Sequence, residues 1–568
     1  MRPAEWSRAF VSTWVLLAWT ASGFGAEPDV KAPSPPASAS VAPAAADASK
    51  DPETALQRAL QLERQHNWSG AIAAYEDAME QWPERTEFRH RHRLCQIHYK
   101  LGRRYQDHSF RTVLLRLPQA KVLDLYEELL ERIQTHYVDP VALEPLLRHG
   151  LDNMEVALRD PTFLQANAPQ STPQNVQWLR EALRKLRDRV VARDREEAKT
   201  QVLAACDLAR QGLGIASSPV ILEFVFGACD ALDDYTCYLT PDKLDELYAM
   251  IDGNFVGLGI ELKLDPIGLR LVGVIRGGPA SEAGLKVGDR ISHVNDQAVR
   301  GLSLDEAAGR LQGEANTSLM ITVQHTNGTS QRLHLTRRPV DVESVAQARI
   351  VDAPNAVGYI QLSGFQKTST EELDKAIALL QRQGMKFLVL DLRGNPGGLL
   401  NVAVEIADRF LDQGVIVSTR GRAAGQSFIY RDRGAANWRM PLAILIDHDS
   451  ASASEILAGA LKDHNRATIL GERSYGKGSV QSIFSLRSIP AAPGEKQTGL
   501  KLTTAKFYSP KNRPYSEQGV DPDIQVHVTA RPTGAEDAEP SAEFGDPLHD
   551  ATLARAIQLA KRPLTSAR

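Results

Sequence analysis

The chain has 568 residues, 43% of them hydrophobic and 24% charged, which is enough for three or four domains that each bury a core. A formal charge of −4 and a pI near 6.4 give no basic field, which argues against nucleic acid as a partner.

Four cysteines, Cys95, Cys206, Cys229 and Cys237, are too few for a disulfide framework and lack metal-site spacing. A Cys229–Cys237 disulfide and buried free thiols both remain compatible with the sequence.

The first 51 residues predict an export segment followed by a linker. Residues 1–26 combine two arginines, a short apolar core and small residues near Ala26, which is typical of a secretory signal. An uncleaved membrane anchor is the alternative, because the apolar stretch approaches spanning length. Residues 27–51 are rich in Ala, Pro and Ser and are typical of a flexible linker. We therefore expect an exported protein of the periplasm or cell envelope.

Helical patterns dominate residues 52–253. In the segment 52–115, the set W-x-x-A-I-x-x-Y-E-x-A-x-x-x-x-P, from Trp68 to Pro83, resembles one tetratricopeptide-type hairpin, and an ordinary helical pair fits equally well. A repeat would offer a docking surface for an adaptor protein. Residues 116–253 predict a second helical region, with a charge-rich helical insertion near 160–213.

Residues 254–340 predict a small β-rich domain. A glycine turn that enters a strand, F-V-G-L-G-I-E-L, is followed by G-G-P-A-S-E-A-G-L and V-G-D-R-I. This order resembles a PDZ domain of the bacterial protease type. The resemblance implies that Gly257, Leu258, Gly259 and Ile260 turn backbone N–H groups toward the carboxylate of a peptide end. The following strand would pair with that peptide by β-augmentation.

In the segment 341–530, an apolar strand-like run ending at Asp447 leads into D-S-A-S-A-S-E and then into an apolar pattern of helical spacing. Ser452 therefore lies at a strand-to-helix corner, where the N–H groups of the first turn lack intrahelical partners and can stabilise an oxyanion. Further on, Lys477 stands between two glycines in Y-G-K-G-S-V-Q. A lysine that loses its hydration has a lowered pKa and can act as a base toward a serine hydroxyl.

The runs S-A-S-A-S-E-I-L-A-G-A-L-K-D and Y-G-K-G-S-V-Q resemble those of the carboxyl-terminal processing peptidases, also called tail-specific proteases. The resemblance implies that Ser452 is the nucleophile, Lys477 the general base and Gln481 the residue that orients the lysine. Acyl transfer through an acyl-enzyme, followed by hydrolysis, needs no metal and no cofactor. Glu455 is interpreted as a first-turn helix residue that the helix dipole favours.

The same family resemblance extends to D-L-R-G-N-P-G-G, which follows a buried strand. It implies that this loop supplies one oxyanion donor, from Gly397 or Gly398, and that Ala453 supplies the other. The sequence does not choose between the two glycines. The implied fold is multidomain α+β, with an N-terminal helical region, a PDZ β-domain and an α/β protease core of the ClpP/crotonase-like type. Beyond the core we predict a loose acidic tail at 531–546 and a C-terminal helix at 547–568.

The leading hypothesis is an exported serine endopeptidase that captures peptide or protein C-termini with its PDZ domain and cuts them with a Ser–Lys dyad. Its partners are protein or peptide substrates, and the sequence leaves a homo-oligomer open. A non-catalytic scaffold of PDZ and helical modules is the second hypothesis. A Ser-His-Asp hydrolase built on His448 and Asp449 is the third, and it is disfavoured because adjacent residues at a tight corner can hardly form that relay.

Overall fold

The protein is represented by a computed structural model that describes residues 51–265, 268–300, 302, 304–434, 437–489, 497–526 and 544–561. The predicted signal, nearly all of the linker and most of the acidic tail lie outside these residues. The helices are α1 Pro52–Arg64, α2 Trp68–Gln81, α3 Thr86–Gln106, α4 His108–Thr112, α5 Gln119–His136, α6 Leu143–Ala157, α7 Pro161–Asn167, α8 Pro173–Arg187, α9 Arg195–Leu213, α10 Ser217–Asp230, α11 Pro241–Asp252, α12 Pro279–Glu282, α13 Leu304–Leu311, α14 Ser369–Arg382, α15 Leu400–Asp408, α16 Ala453–Asp463 and α17 Ala551–Ala560. Within the described ranges, no helix is both long and apolar enough to cross a membrane.

In the part of the chain that the structure describes, the strands form four sheets. They are β1 Cys237–Leu239, β2 Asn254–Gly257, β3 Ile260–Leu264, β4 Leu269–Val274, β5 Arg290–Val294, β6 Gln297–Ala298, β7 Ser318–Gln324, β8 Ser330–Thr336, β9 Arg338–Asp341, β10 Val345–Asp352, β11 Val357–Leu362, β12 Phe387–Asp391, β13 Val415–Gly421, β14 Phe428–Arg431, β15 Leu442–Ile446, β16 Thr468–Gly471, β17 Ser479–Leu486, β18 Thr498–Tyr508 and β19 Ile524–Gln525.

The N-terminal half is helical, and its helices form two hydrophobic cores. Helices α1, α2 and part of α3 enclose a small core around Tyr75 and Phe88, which are both fully buried. Helices α5 to α10 enclose a larger core around Leu129, Leu147 and Phe224. Helices α7, α8 and α9 fall in the region predicted as an insertion, and they begin at side-chain caps of the Asp or Thr type that satisfy their free N–H groups.

The middle of the chain is a small β-domain with its own core. The sheet has the order β3-β4-β5-β7-β8, so that β3 is an edge strand, and α13 packs beside it. A separate two-stranded ribbon, β2 with β9, joins the beginning of this domain to its end. The exposed edge of β3 is the feature that bears on peptide binding.

The C-terminal half contains the six-stranded sheet β10-β11-β12-β15-β16-β19, in which the strands from β11 to β19 run parallel. Strands β12 and β15 are buried at every position, as expected for strands covered on both faces. Helices α14, α15 and α16 cover one face, and the C-terminal helix α17 packs on the other. The carboxyl ends of β12, β15 and β16 therefore meet at one edge, where open α/β sheets bind ligands.

One strand differs from the prediction, and the state of the cysteines answers a question that the sequence left open. Strand β1 comes from the region predicted to be helical, yet it pairs with β18 and adds an edge to the five-stranded sheet of the core. Three residues are too few to reveal a strand by alternation of polar and apolar side chains. In addition, all four cysteines are free, and Cys95, Cys206 and Cys229 are buried.

Candidate active site

Three loops meet at the carboxyl edge of the parallel sheet. The loop after β12 carries Arg393, the loop after β15 ends at Ser452, and the loop after β16 carries Lys477. Their backbones are joined directly, because Ala451 N–H donates to Asn395 O at 3.0 Å and Tyr475 N–H donates to Ser450 O at 3.1 Å. The topology thus explains how segments 25 and more residues apart form one site.

Ser452 is the N-cap of α16 and has strained backbone angles, φ +57° and ψ −112°. A positive φ is costly for a residue with a Cβ, and such strain persists only where the surroundings enforce it. Here the enforcing contact is the N–H of Ser452, which donates to Glu455 Oε2 at 2.7 Å. The corner therefore resembles the strained strand-to-helix turns that hold a nucleophile away from the backbone, although no G-x-S-x-G sequence is present.

The two neighbouring serines are fully buried and bonded to the loop after β12. Ser450 Oγ donates to Leu392 O at 2.8 Å, and Ser454 Oγ donates to Asn395 O at 2.9 Å. Ser452 is only partly buried. Ser450 and Ser454 thus connect the Ser452 corner to the loop after β12, and Ser452 carries the accessible hydroxyl of the three.

The glycine loop lies directly against this corner. A Cβ on Gly397 would come within 2.7 Å of Ala451 O and 2.8 Å of Ser452 Cβ, so only glycine allows the approach. The N–H of Gly397 donates to Asn395 Oδ1 at 2.9 Å. By contrast, the N–H groups of Gly398 and Ala453 have no acceptor among the residues that the structure describes. Among the described residues, two donors without an acceptor therefore remain, one on the residue that follows Ser452 and one on the glycine that follows Gly397.

Glu455 connects the loops of Ser452 and Lys477, a role that exceeds the first-turn helix position predicted from the sequence. It is fully buried, and its Oε1 accepts from Ser474 Oγ and from Gly476 N–H, both at 2.7 Å. Its Oε2 accepts from Lys477 N–H at 3.0 Å as well as from Ser452. Burial raises the pKa of Glu455 to about 7 against the effect of these four donors.

Lys477 is half-buried, and its ammonium lies 4.6 Å from the ring centroid of Tyr235. Loss of hydration, together with the positive charge of Lys501, lowers the pKa of Lys477 to about 7. The carboxylates of Glu455 and Asp233 oppose this shift and are outweighed. A lysine with this pKa is substantially neutral at physiological pH and can accept a proton.

Gln481 lies on β17, just beyond the Lys477 loop. Its Nε2 donates to Ser479 Oγ at 3.0 Å and to Thr503 Oγ1 at 3.2 Å. These bonds fix the orientation of the amide.

His448, the histidine of the third hypothesis, has a side chain that is 53% exposed and lies near the carboxylates of Asp449 and Glu472.

The loop 257–260 of the β-domain, which the sequence predicts to bind a peptide carboxylate, is anchored through two of its backbone carbonyl groups. Leu258 O accepts from Ala280 N–H, and Gly259 O accepts from Ile275 N–H, both at 2.9 Å. Gly259 has φ +74°, a conformation that glycine adopts without strain. Leu258 and Ile260 are buried in the domain core, together with Leu311 of α13. Gly257 lies at the end of β2, on the far side of the loop from β3.

Three residues of this region were not foreseen in these roles, namely Glu455 as a bridge, Tyr235 beside the lysine and Lys501 as a source of positive charge. The spacing Ser452-x-x-Glu455 is a capping-box signature and could have indicated a bond from the glutamate to the corner. Tyr235 and Lys501 carry no such local signal, because they reach the site only through the pairing of β1 with β18 and of β18 with β17.

Comparison with known proteins places these features in a family. A model of peptidase family S41 matches residues 356–526, and a PDZ-domain model matches residues 270–325. The carboxy-terminal-processing protease of Bartonella bacilliformis is 36% identical over 306 residues, covering 52% of this chain and 67% of the relative. A carboxyl-terminal-processing protease of Synechocystis is 36% identical over 299 residues, covering 52% and 68%. A solved photosystem II D1 C-terminal processing protease is 27% identical, covers 73% of this chain and 96% of its own, and has a TM-score of 0.38.

Proposed function

The chain belongs to the carboxyl-terminal processing proteases of peptidase family S41, and on that premise we propose that it is an exported endopeptidase with a Ser452–Lys477 dyad. The observation that carries the proposal is the position of Glu455. One buried carboxylate binds the backbone of the strained serine and the backbone of a lysine whose pKa is lowered to about 7. Such a bridge sets the nucleophile and the base in a fixed relation.

In the proposed reaction, Ser452 Oγ attacks the carbonyl carbon of the scissile peptide bond while the neutral amine of Lys477 takes the hydroxyl proton. The resulting ammonium then gives that proton to the leaving amine, so the C–N bond breaks and an acyl-enzyme forms. Water, deprotonated by Lys477, hydrolyses the ester and regenerates the serine. Gln481, whose amide nitrogen is bonded to Ser479 and Thr503, is assigned to orient the lysine through its amide oxygen.

We assign the oxyanion hole to the N–H groups of Gly398 and Ala453. Both lack an acceptor among the described residues, whereas the N–H of Gly397 is bonded to Asn395. Gly397 then has a steric role, since its missing Cβ allows the loop to lie against Ser452. Donors of this kind act where charge develops in the transition state and typically contribute two to three orders of magnitude in rate.

Substrate capture is proposed for the PDZ domain, with an extended chain end added to the edge of β3. Strand β3 is at the edge of the sheet as the described residues form it, and α13 packs against the same strand. The N–H groups of the loop from Gly257 to Ile260 would bind the terminal carboxylate, because the carbonyl groups of Leu258 and Gly259 are already bonded on the other side.

We also propose a core fold, a domain division and a cellular location for this protein. A ClpP/crotonase-like core is supported by the parallel sheet with helices on both faces. The proposed division keeps the PDZ domain at 254–340 and the protease core at 341–530. Export rests on residues 1–26, and N-terminal sequencing of the protein from fractionated cells would show whether they are removed. We also propose that an adaptor protein docks on the helices before residue 115.

The deciding experiment is cleavage of a denatured protein by wild type, Ser452→Ala and Lys477→Ala, with the cut sites mapped by mass spectrometry. The proposal expects cleavage by wild type and none above background by either variant. Equal cleavage by wild type and Ser452→Ala would contradict the dyad. Activity retained in Lys477→Ala and lost in His448→Ala would favour a Ser-His-Asp hydrolase. A wild type that binds peptide ends without cutting would favour a scaffold.

A further inference from the structure

The C-terminal helix α17 is connected to the active-site edge by a buried ionic cluster. Arg393, which follows the end of β12 by two residues, donates from Nη1 to Asp550 Oδ1 at 3.0 Å and from Nη2 to Asp550 Oδ2 at 2.5 Å. Its Nε donates to Asp391 Oδ1 at 2.9 Å. The side chains of Arg393 and Asp550 are only 6% and 3% exposed. This is a two-pronged arginine–carboxylate pair, which fixes direction as well as distance.

Asp550 is itself rigidly held. It is the N-cap of α17, where Oδ1 accepts from Leu553 N–H at 3.0 Å, and its Oδ2 accepts from Gly545 N–H at 3.3 Å. The ring of Phe544 covers the guanidinium of Arg393 at 4.4 Å. The segment from Phe544 to Asp550 thus encloses one side of Arg393, and Asp391 binds the other. This segment lies beyond residues 356–526, which the family model matches.

Arg393 lies near the start of the loop that faces Ser452. It is rich in glycine, and Gly394, Gly397 and Gly398 all have positive φ. Backbone of this kind has many accessible conformations and must be fixed from outside. Asn395 fixes the middle through Leu362 O and Gly397 N–H, and Phe365 fixes the far end. The near end is fixed by the Arg393 fork and by the bond from Gly394 N–H to Asp447.

We infer that Asp550 is a positioning residue for catalysis, which acts through Arg393 to hold the glycine loop where the N–H of Gly398 meets the oxyanion. The inference rests on the proposed function, and it makes α17 part of the catalytic apparatus. Displacing the loop by about 1 Å weakens the stabilisation of the oxyanion and lowers the rate of the chemical step by about 100-fold. Groups that bind the substrate elsewhere are unaffected. The effect of losing Asp550 should therefore fall on kcat and not on KM.

The test compares Asp550→Asn with wild type in peptide cleavage. Asparagine keeps the size and the capping oxygen but removes the charge opposite Arg393. We expect kcat to fall about 10- to 100-fold with KM unchanged within about twofold, and Asp550→Glu to recover part of kcat. Because Asn could also loosen the helix, the matched control is Ile557→Ala. Ile557 is 5% exposed on the same helix, about two turns beyond Asp550, and packs in the hydrophobic core beneath that helix.

The two variants separate positioning from stability. If Ile557→Ala lowers Tm as much as Asp550→Asn but keeps kcat, the inference holds; if both lower kcat equally, α17 is only a structural cover. An unchanged kcat in Asp550→Asn, or a change confined to KM, also overturns it. Should Asp550→Asn fail to fold, Phe544→Leu replaces it, with a smaller loss of kcat expected and an unchanged kcat contradicting the idea. A wild type without activity would overturn the proposed function and this inference together.

Discussion

Two glutamates, Glu223 in the helical half and Glu455 in the protease half, are both almost completely buried, and burial raises the pKa of each to about 7. Their partners differ. Glu223 on α10 binds Arg104 of α3 at 2.9 Å, and that guanidinium also lies 4.1 Å from the ring centroid of Phe226. Glu455 binds the backbone N–H groups of three residues in the loops of Ser452 and Lys477.

The difference shows what a buried carboxylate can do in each setting. Glu223 neutralises a side chain and joins two helices, so its loss should appear as lost stability. Glu455 sets the backbone of the proposed nucleophile and of the proposed base, so its loss should appear as lost activity. Similar burial and similar pKa shifts therefore do not identify a functional residue, and the bonded partners do.

The largest expected effect is on the rate of Glu455→Gln. An amide cannot accept from all four donors, so the Ser452 corner and the Lys477 loop should separate. We expect kcat/KM to fall by about 100- to 1,000-fold, or about 3–4 kcal/mol. Cleavage assays against wild type provide the measurement. Glu472→Gln is the control, because Glu472 lies in the loop that carries Lys477 and is partly exposed near His448. A loss of less than about threefold would contradict the bridging role.

Next in size is the stability effect of Glu223→Gln. It leaves the charge of Arg104 buried without an ionic partner, and we expect the free energy of unfolding to fall by about 3 kcal/mol. Activity below the melting transition should stay within about twofold of wild type. The double variant Glu223→Gln with Arg104→Met should regain part of the stability, because both charges are then gone. Chemical denaturation of the four proteins completes the cycle. Lost activity with intact stability would make the two glutamates equivalent and break the comparison.

The contrast also marks how far the sequence could lead. The motifs around Ser452, Lys477 and Gly397 identify the site because each follows a strand, and adjacent parallel strands bring their ends together. The capping-box spacing of Ser452 and Glu455 can be recognised in the sequence as well. The pairing of Arg393 with Asp550 and the position of Tyr235 beside Lys477 cannot be recognised there, because these partners lie 157 and 242 positions apart and meet only in the folded chain. Strand β1 is too short to be seen by periodicity, so the route that brings Tyr235 to the site was hidden.

A third prediction concerns pH. The neutral amine of Lys477 is the proposed base, and ionised Glu455 accepts the four bonds, so kcat/KM should rise as pH increases through about 7. The charge of Lys501 helps to hold the pKa of Lys477 down. In Lys501→Met the pKa of Lys477 rises, and the rising limb should move to higher pH by about 0.5–1 unit, equivalent to about 1 kcal/mol.

Lys506→Met is the control for this shift. Lys506 lies on the same strand β18, but it is exposed and faces Asp139 at 4.0 Å. Its pH profile should coincide with that of wild type. If the rising limb of the pH profile stays in place in Lys501→Met, or moves to lower pH, then the titration of Lys477 does not set the profile.

The smallest expected effect separates strain from chemistry at Ser452 itself. Both Ser452→Ala and Ser452→Gly should be inactive, but φ +57° is strained for alanine and ordinary for glycine. After allowance for the greater freedom of glycine in the unfolded chain, we expect Ser452→Gly to be more stable than Ser452→Ala by about 1 kcal/mol. At the next position, in the first turn of α16, Ala453→Gly should instead destabilise by about 0.5–1 kcal/mol. Opposite signs at adjacent positions, measured by chemical denaturation, would show that the corner stores strain; equal signs would show that Glu455 holds a relaxed backbone.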